Sequence, residues 1–287
     1  QVQIALLPGV NMKKIISIVC AAVIGTVAFA YDVAANMPLK GSAKAMTRTD
    51  FTVISKFGDY YRTPIGKTAY KYDSFGRQSE SVEFTARDVF VNKVVSVYDG
   101  AGLLTEQVCY DEENNKLWRS VIEYKDGMKA DVSEFGKDGA LKGKMMYAYA
   151  DGKLKEETYY NGDGALLWKI FYKYNAKDLL EEEMEYFGDG TLNEQRVFAY
   201  NDAGKTDTIF TYNERGIMRS KDVFRYAADG SLSEVTTYGS DNRPEIRRIV
   251  KCDTAGNIAK LTTYFVARKF GDTVNEMTAM SEFSYIY

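Results

Sequence analysis

The chain has 287 residues, of which 37 are basic and 40 acidic, for a formal net charge of −3, and it contains no histidine. That balance leaves no basic footprint for nucleic acid, and the missing imidazole excludes Ser-His-Asp, Cys-His and His-zinc centres. Tyrosine is overused at 22 residues beside 23 glycines and only 4 prolines, a composition suited to strands and tight turns rather than to helices or disorder.

In chain order, residues 1–11, "QVQIALLPGVN", hold no initiator methionine and read as non-native upstream residues. From Met12 the chain gives a signal peptide over residues 12–30: Lys13 and Lys14 as the positive region, Ile15 to Val27 as the apolar run, and Ala28-Phe29-Ala30 as the cleavage site. A lipid anchor on Cys20 is the rival, although Val19 is not small and the apolar run continues past the cysteine. The apolar run is shorter than the ~20 residues of a membrane-spanning helix, so no stable membrane span is expected after cleavage. Residues 31–50 fit no repeat register and read as a flexible leader.

Residues 51–287 read as a single β-hairpin repeat domain with atypical end strands at 51–71 and 265–287. Tyrosines fall at 72, 98 and 124, then at 174, 200 and 226, with Cys252 in the next slot. A second set runs Phe84, Tyr110, Phe135, Tyr160, Tyr186, Tyr212, Tyr238 and Tyr264. The spacing within each set is about 26 residues. Turn residues follow in register, as in "YDSFG", "YNDAG" and "YNERG", with Asp178, Asn115 and Asn242 in glycine places. Asp or Asn closes an Asx-turn and Gly tolerates the positive φ of short hairpin loops. Between turns lie runs such as "DTIFTY" and "KDVFRY", which are strand material.

The expected fold is therefore all-β: an antiparallel β-hairpin repeat with a period of about 26 residues, forming an elongated coiled sheet or solenoid of about sixteen strands. Alternation predicts one aromatic face carrying both tyrosine sets, with Phe198/Tyr200, Phe210/Tyr212 and Phe224/Tyr226 pointing the same way. Cys109 and Cys252 then differ in parity and lie about eleven strands apart, so two unpaired thiols are expected even in an oxidising compartment.

The stretch "YKYDSFGRQ" (Tyr70 to Gln78) resembles the YD repeat of bacterial Rhs proteins, and "ADGKLKEETYYNGDGALLWKIFYKYN" is similar to a MORN-type repeat. The resemblance covers roughly residues 70–264. It implies stacked hairpins in exported or surface proteins used as shells or binding scaffolds. The Arg after the turn glycine occurs only at Arg77, which departs from the YD pattern.

No catalytic residue, metal site or cofactor is read from the sequence. The acidic run Glu181 to Tyr186 puts Glu181, Glu183 and Glu185 on one strand face, and a solvated outer face is the expected setting. Turns such as residues 161–164 and 188–190 lack the carboxylate ladder of a calcium loop. Trp118 and Trp168 each precede a first-set tyrosine by six residues, which puts them on the aromatic face. These aromatics are expected first as core filling the concave side, and Trp118, Tyr124, Trp168, Tyr172 and Tyr174 are the candidate ligand-binding residues if that face binds a ligand. The expected function is an exported non-enzymatic scaffold, periplasmic, outer-surface or secreted, binding an envelope or surface protein or glycan. The alternatives are a carboxylate-dependent glycan hydrolase and a purely structural envelope protein.

Overall fold

The computed structural model describes residues 33–34, 39–56, 58–269 and 271–287; the expected signal peptide, its cleavage site and Cys20 lie outside them. Among the described residues there are eighteen strands. They begin with β1 (Ala45–Lys56), β2 (Asp59–Tyr72), β3 (Gln78–Thr85), β4 (Phe90–Tyr98), β5 (Leu104–Tyr110) and β6 (Lys116–Lys125). Then come β7 (Met128–Gly136), β8 (Leu141–Ala150), β9 (Lys153–Asn161), β10 (Leu166–Tyr174), β11 (Leu180–Phe187) and β12 (Leu192–Tyr200). The last third is β13 (Thr206–Asn213), β14 (Met218–Tyr226), β15 (Leu232–Gly239), β16 (Pro244–Cys252), β17 (Ile258–Lys269) and β18 (Asp272–Ile286).

The turns work as the spacing predicts. At Asp73, one carboxylate oxygen accepts from the N–H groups of Phe75 and Arg77, both at 2.9 Å. Asn201 does the same for Ala203 and Lys205, both at 3.0 Å. Gly76 and Gly204 then sit in the left-handed region at φ 78° and 73°. Asn114, not the expected Asn115, fills the equivalent slot after Tyr110, alongside Asp178 and Asn242. The loops at Asp126-Gly127 and Asp151-Gly152 have positive φ at both central residues, the type I′ geometry that matches strand twist. These two-residue loops explain why the first tyrosine set loses two residues between Tyr124 and Tyr174.

Every strand pairs antiparallel with its chain neighbours, and β1 pairs on its other side with β18: Arg48 opposes Thr68 on β2 and Phe283 on β18. The sheet is a closed ring. This corrects the expected elongated sheet or solenoid. The physical reason is that β1 starts at Ala45, inside the stretch expected to be a flexible leader, and supplies the strand that joins the two ends. A closed barrel requires tilted strands, typically by 35–45°, and here the inward-facing Val94, Cys109, Trp168, Ile170 and Val235 are each at most 2% exposed.

Directly opposed residues share a face. Phe198 opposes Ile209 while Val197 opposes Phe210, so the two tyrosine sets lie on opposite faces, not on one. A bulge beside each turn, as at Ala199/Tyr200 and Thr211/Tyr212, sets this phase. The first set lines the inner wall near one rim. There the hydroxyls of Tyr98, Tyr124, Tyr200 and Tyr226 donate to the carbonyls of Gln78, Leu104, Leu180 and Thr206 at 2.7–3.0 Å. Each closes an even-numbered strand onto the start of the strand before it. The second set faces outward under cations: Lys67 over Phe84, Lys93 over Tyr110, Arg119 over Phe135 and Lys221 over Tyr238.

The inner wall holds two apolar clusters on separate arcs. One gathers Ile122, Val132, Met145, Trp168 and Ile170 from β6 to β10. The other gathers Ile209, Phe224, Val235, Val250, Ile258 and Leu261 from β13 to β17, with Val33 from ahead of β1 packed among them. Cys109 and Cys252 are both free, as expected, but the expected difference in parity does not hold. Cys109 opposes Val94 and Cys252 opposes Ile258, and both lie on the inner wall. The ring closes without a disulfide.

The turn chemistry gives a direct stability test. No atom lies within 4 Å of the Cβ position at Gly204, so Gly204→Ala carries only the left-handed backbone cost and should lower unfolding stability by about 1–2 kcal/mol in denaturant titration. Asn242→Gly, at the matching slot, should not lower it; equal losses at both sites would contradict this account.

Candidate functional site

The five candidate residues all reach the inner wall, on β6 and β10. Trp118 opposes Cys109 and Gly136, and Ile122 opposes Val132. Trp168 opposes Tyr159, while Tyr172 opposes Glu183. Trp168 and Tyr172 come together in one apolar cluster with Tyr124. Trp118 and Tyr174 do not join that cluster: Tyr174 sits at the rim under Lys153 and Lys155, whose ammonium groups are 5.7 and 5.2 Å from its ring centre.

The three strands between β6 and β10 add residues that the sequence reading passed over: Glu134 on β7, Tyr147 on β8, and Glu157 and Tyr159 on β9. Tyr159 stacks on Trp168, with ring centres 5.5 Å apart and an interplanar angle of 20°. Its hydroxyl donates to Glu134 Oε2 at 3.2 Å. Gly143 makes this geometry possible, because a Cβ there would lie 2.1 Å from the Tyr159 hydroxyl oxygen. A usable signal existed. The residue just before each second-set aromatic faces inward, which places Cys109, Glu134, Tyr159, Glu185, Thr211 and Thr237 on the inner wall.

The acidic run belongs to the same wall. Glu183 and Glu185 are buried, at 7% and 5% exposure, which corrects the expected solvated outer face. The bulge between Lys173 and Tyr174 takes Glu181 out of the pairing, and it pairs with Lys173 at 3.0 Å. Burial is tolerated because partners are present. Arg196 Nη2 lies 2.7 Å from Glu183 Oε1, Arg196 Nε lies 3.4 Å from Glu194 Oε1, and Asn193 donates to Glu185 Oε1 at 2.8 Å.

Burial dominates the electrostatics of this arc. It pushes the Glu134 carboxyl up, and the Tyr159 hydroxyl bond offsets only part of that. Burial, then the negative charge of Glu157, raises the phenols of Tyr147 and Tyr172 far above their ordinary value. Tyr159 is pushed up to about 12 by burial and by Glu134. The wall thus presents neutral phenols, aromatic rings and carboxylates side by side, chemistry that stacks and hydrogen-bonds. Among the described residues no group of three or more His, Cys, Asp or Glu could hold a metal ion.

The outer wall differs in kind. A cation on an even-numbered strand meets an acid on the strand before it at Arg119–Glu106 (2.8 Å), Lys144–Asp131 (3.2 Å), Lys169–Glu156 (3.3 Å) and Arg247–Glu234 (2.6 Å). In all four the base follows the acid by thirteen positions, half a repeat.

No family model matches the chain, and no curated protein matches it. Among solved structures, a porin-like protein from Bacteroides uniformis is similar at 12% identity, covering 86% of this chain and 99% of that one, with a TM-score of 0.49. A porin-like protein from Bacteroides vulgatus is similar at 9% identity over 85% and 98% of the two chains, with a TM-score of 0.32. The TcdB2-TccC3 structure matches at 12% identity over 72% of this chain and 14% of that one, with a TM-score of 0.29. At these values none of the likenesses bears on what this chain does.

The raised phenols make an alkaline prediction. A phenol whose folded pKa lies above its unfolded value stabilises the fold fully below about 10, and that contribution is lost as pH rises through the folded value. Tyr72 and Tyr159, both pushed up to about 12, set the window at about pH 10–12. Absorbance at 295 nm should show a late group of tyrosines that ionises together with loss of the β-sheet circular dichroism signal. Simple titration of all 22 tyrosines near pH 10 with the fold intact would contradict it.

Proposed function

We propose that this chain is an exported, non-enzymatic barrel that binds a glycan or the polar surface of a protein at the bacterial envelope, through the β6–β12 arc of its inner wall. One observation carries the reading. Trp168, Tyr147, Tyr159 and Tyr172 converge with Glu134 and Glu157 on the inner wall of the closed ring, where Trp168 is 2% exposed against Tyr159 and the phenols and carboxylates around it are half-buried. Ring faces with flanking hydroxyls and carboxylates suit a polyhydroxylated ligand, which needs stacking and many acceptors at once.

The outer wall supports a water-facing setting, periplasmic, surface-held or secreted. A lipid-facing barrel presents an apolar band about 25 Å tall, and each Arg or Lys at the bilayer midplane costs about 2–4 kcal/mol. Here the middle of the outer wall carries Arg119–Glu106, Lys144–Asp131, Lys169–Glu156 and Arg247–Glu234. The mature chain should therefore purify from the soluble fraction without detergent and elute as a compact particle; a strict detergent requirement would contradict the water-facing wall.

The binding test is a glycan array and an envelope pull-down with the mature chain, followed by titration of each hit against Tyr147→Phe and Tyr172→Phe. Each variant should weaken binding about tenfold, ~1.4 kcal/mol, with the circular dichroism spectrum unchanged. Hits whose affinity ignores both substitutions would refute the inner-wall site, and release of new reducing ends from a bound glycan would favour a hydrolase.

A further inference from the structure

We propose that the inner wall between β13 and β17 is a peptide-binding seat, filled in this structure by the chain's own segment ahead of β1. It rests on the reading that the lumen is a binding compartment, but uses a different arc and a different ligand class from the glycan site.

The occupant shows the mode of recognition. Val33 is 1% exposed, enclosed by Ile209, Phe224, Val235, Val250, Ile258 and Leu261, with Ala34 packed beside it. At the rim, Asn257 captures the backbone of Lys40 from both sides. Its Oδ1 accepts from Lys40 N–H at 2.7 Å, and its Nδ2 donates to Lys40 C=O at 2.9 Å. Asn257 is 3% exposed and is held in place by Tyr287, whose hydroxyl accepts from Asn257 Nδ2 at 2.9 Å and lies 2.9 Å from Asp253 Oδ2. The side-chain amide reads only main-chain groups at Lys40, and the apolar hollow reads one small aliphatic side chain at Val33. Both are contacts to a peptide segment, one through a single side chain and one through a single main-chain unit, and neither depends on the rest of its sequence.

The repeat shows that the latch is a departure from the local pattern. In three other copies the residue after the turn glycine stacks on the next first-set tyrosine: Arg77 on Tyr98, Lys153 on Tyr174, Lys205 on Tyr226. Asn257 holds that place after Gly256 and turns to the incoming chain instead.

The seat has a built-in reporter. Cys252 packs against the same cluster as Val33, while Cys109 is buried on β5 of the opposite arc. The full chain carrying Cys20→Ser is labelled with a charged maleimide, and each cysteine is followed by peptide mass spectrometry. Val33→Asp should raise the Cys252 rate at least tenfold with Cys109 still protected. Adding a synthetic peptide of residues 31–44, YDVAANMPLKGSAK, should restore protection, and Asn257→Ala added to Val33→Asp should abolish that rescue. Should Val33→Asp expose Cys109 as well, Val33→Ala is the milder variant, with the same ordering expected. An unchanged Cys252 rate in the folded variant, or no rescue by millimolar peptide, overturns the seat and leaves the glycan arc untouched.

Discussion

The pairing of β1 with both β2 and β18 is the constraint on which the rest of the molecule depends. A hairpin array left open would present two long unpaired strands, each a template for aggregation. Closing the ring satisfies those edges through eight opposed residue pairs from Ala45/Ile286 to Thr52/Ala279. It also separates the two faces of every strand into a lumen and an outer surface. Only then do a buried Glu185 on one face and the exposed Lys173 nearby become parts of one design, one facing inward and one solvated.

The two walls solve different problems with the same repeat. Inside, four first-set tyrosines, Tyr98, Tyr124, Tyr200 and Tyr226, each tie an even-numbered strand to the one before it through a hydroxyl-to-carbonyl bond, an interaction worth about 0.5–1.5 kcal/mol. Outside, second-set aromatics are capped by Lys or Arg, which shields the rings while keeping the surface charged. Where the repeat departs from itself, the departure has a local cause. Gly143 leaves room for Tyr159 to lie on Trp168, and Asn257 turns away from the tyrosine ladder to hold Lys40.

Local structure was legible because its determinants are local. Tyr-Asn-Asp-Ala-Gly at residues 200–204 encodes an Asx-closed turn, and "DTIFTY" encodes a strand, without reference to anything distant. Closure was not legible. It depends on the sum of small twists and bulges at Ala199/Tyr200, Thr211/Tyr212 and their counterparts, and on β1 and β18, which carry no glycine rhythm to announce them. Face assignment failed for a related reason: alternation along one strand says nothing about how a bulge carries the phase into the next. Strand alternation alone therefore puts Tyr212 on the face of Tyr200 and leaves Glu183 solvated, whereas the register puts Tyr212 outside and Glu183 inside. The aromatic candidates on β6 and β10 were found, whereas Glu134, Tyr147 and Tyr159 needed the register to bring them between.

Closure is best measured by cross-linking the seam. Thr47 on β1 opposes Ser284 on β18, and opposed antiparallel residues have Cα atoms about 4.5–5.5 Å apart, within reach of a disulfide. The Thr47→Cys/Ser284→Cys variant, oxidised while folded, should form an intramolecular bridge between these positions in nearly every chain, with an unchanged β-sheet spectrum and raised resistance to denaturant. In an open array of the same strands the two positions would lie about 80 Å apart, at ~4.8 Å per strand. Failure to form the bridge in the folded monomer would contradict the closed barrel and the lumen built upon it.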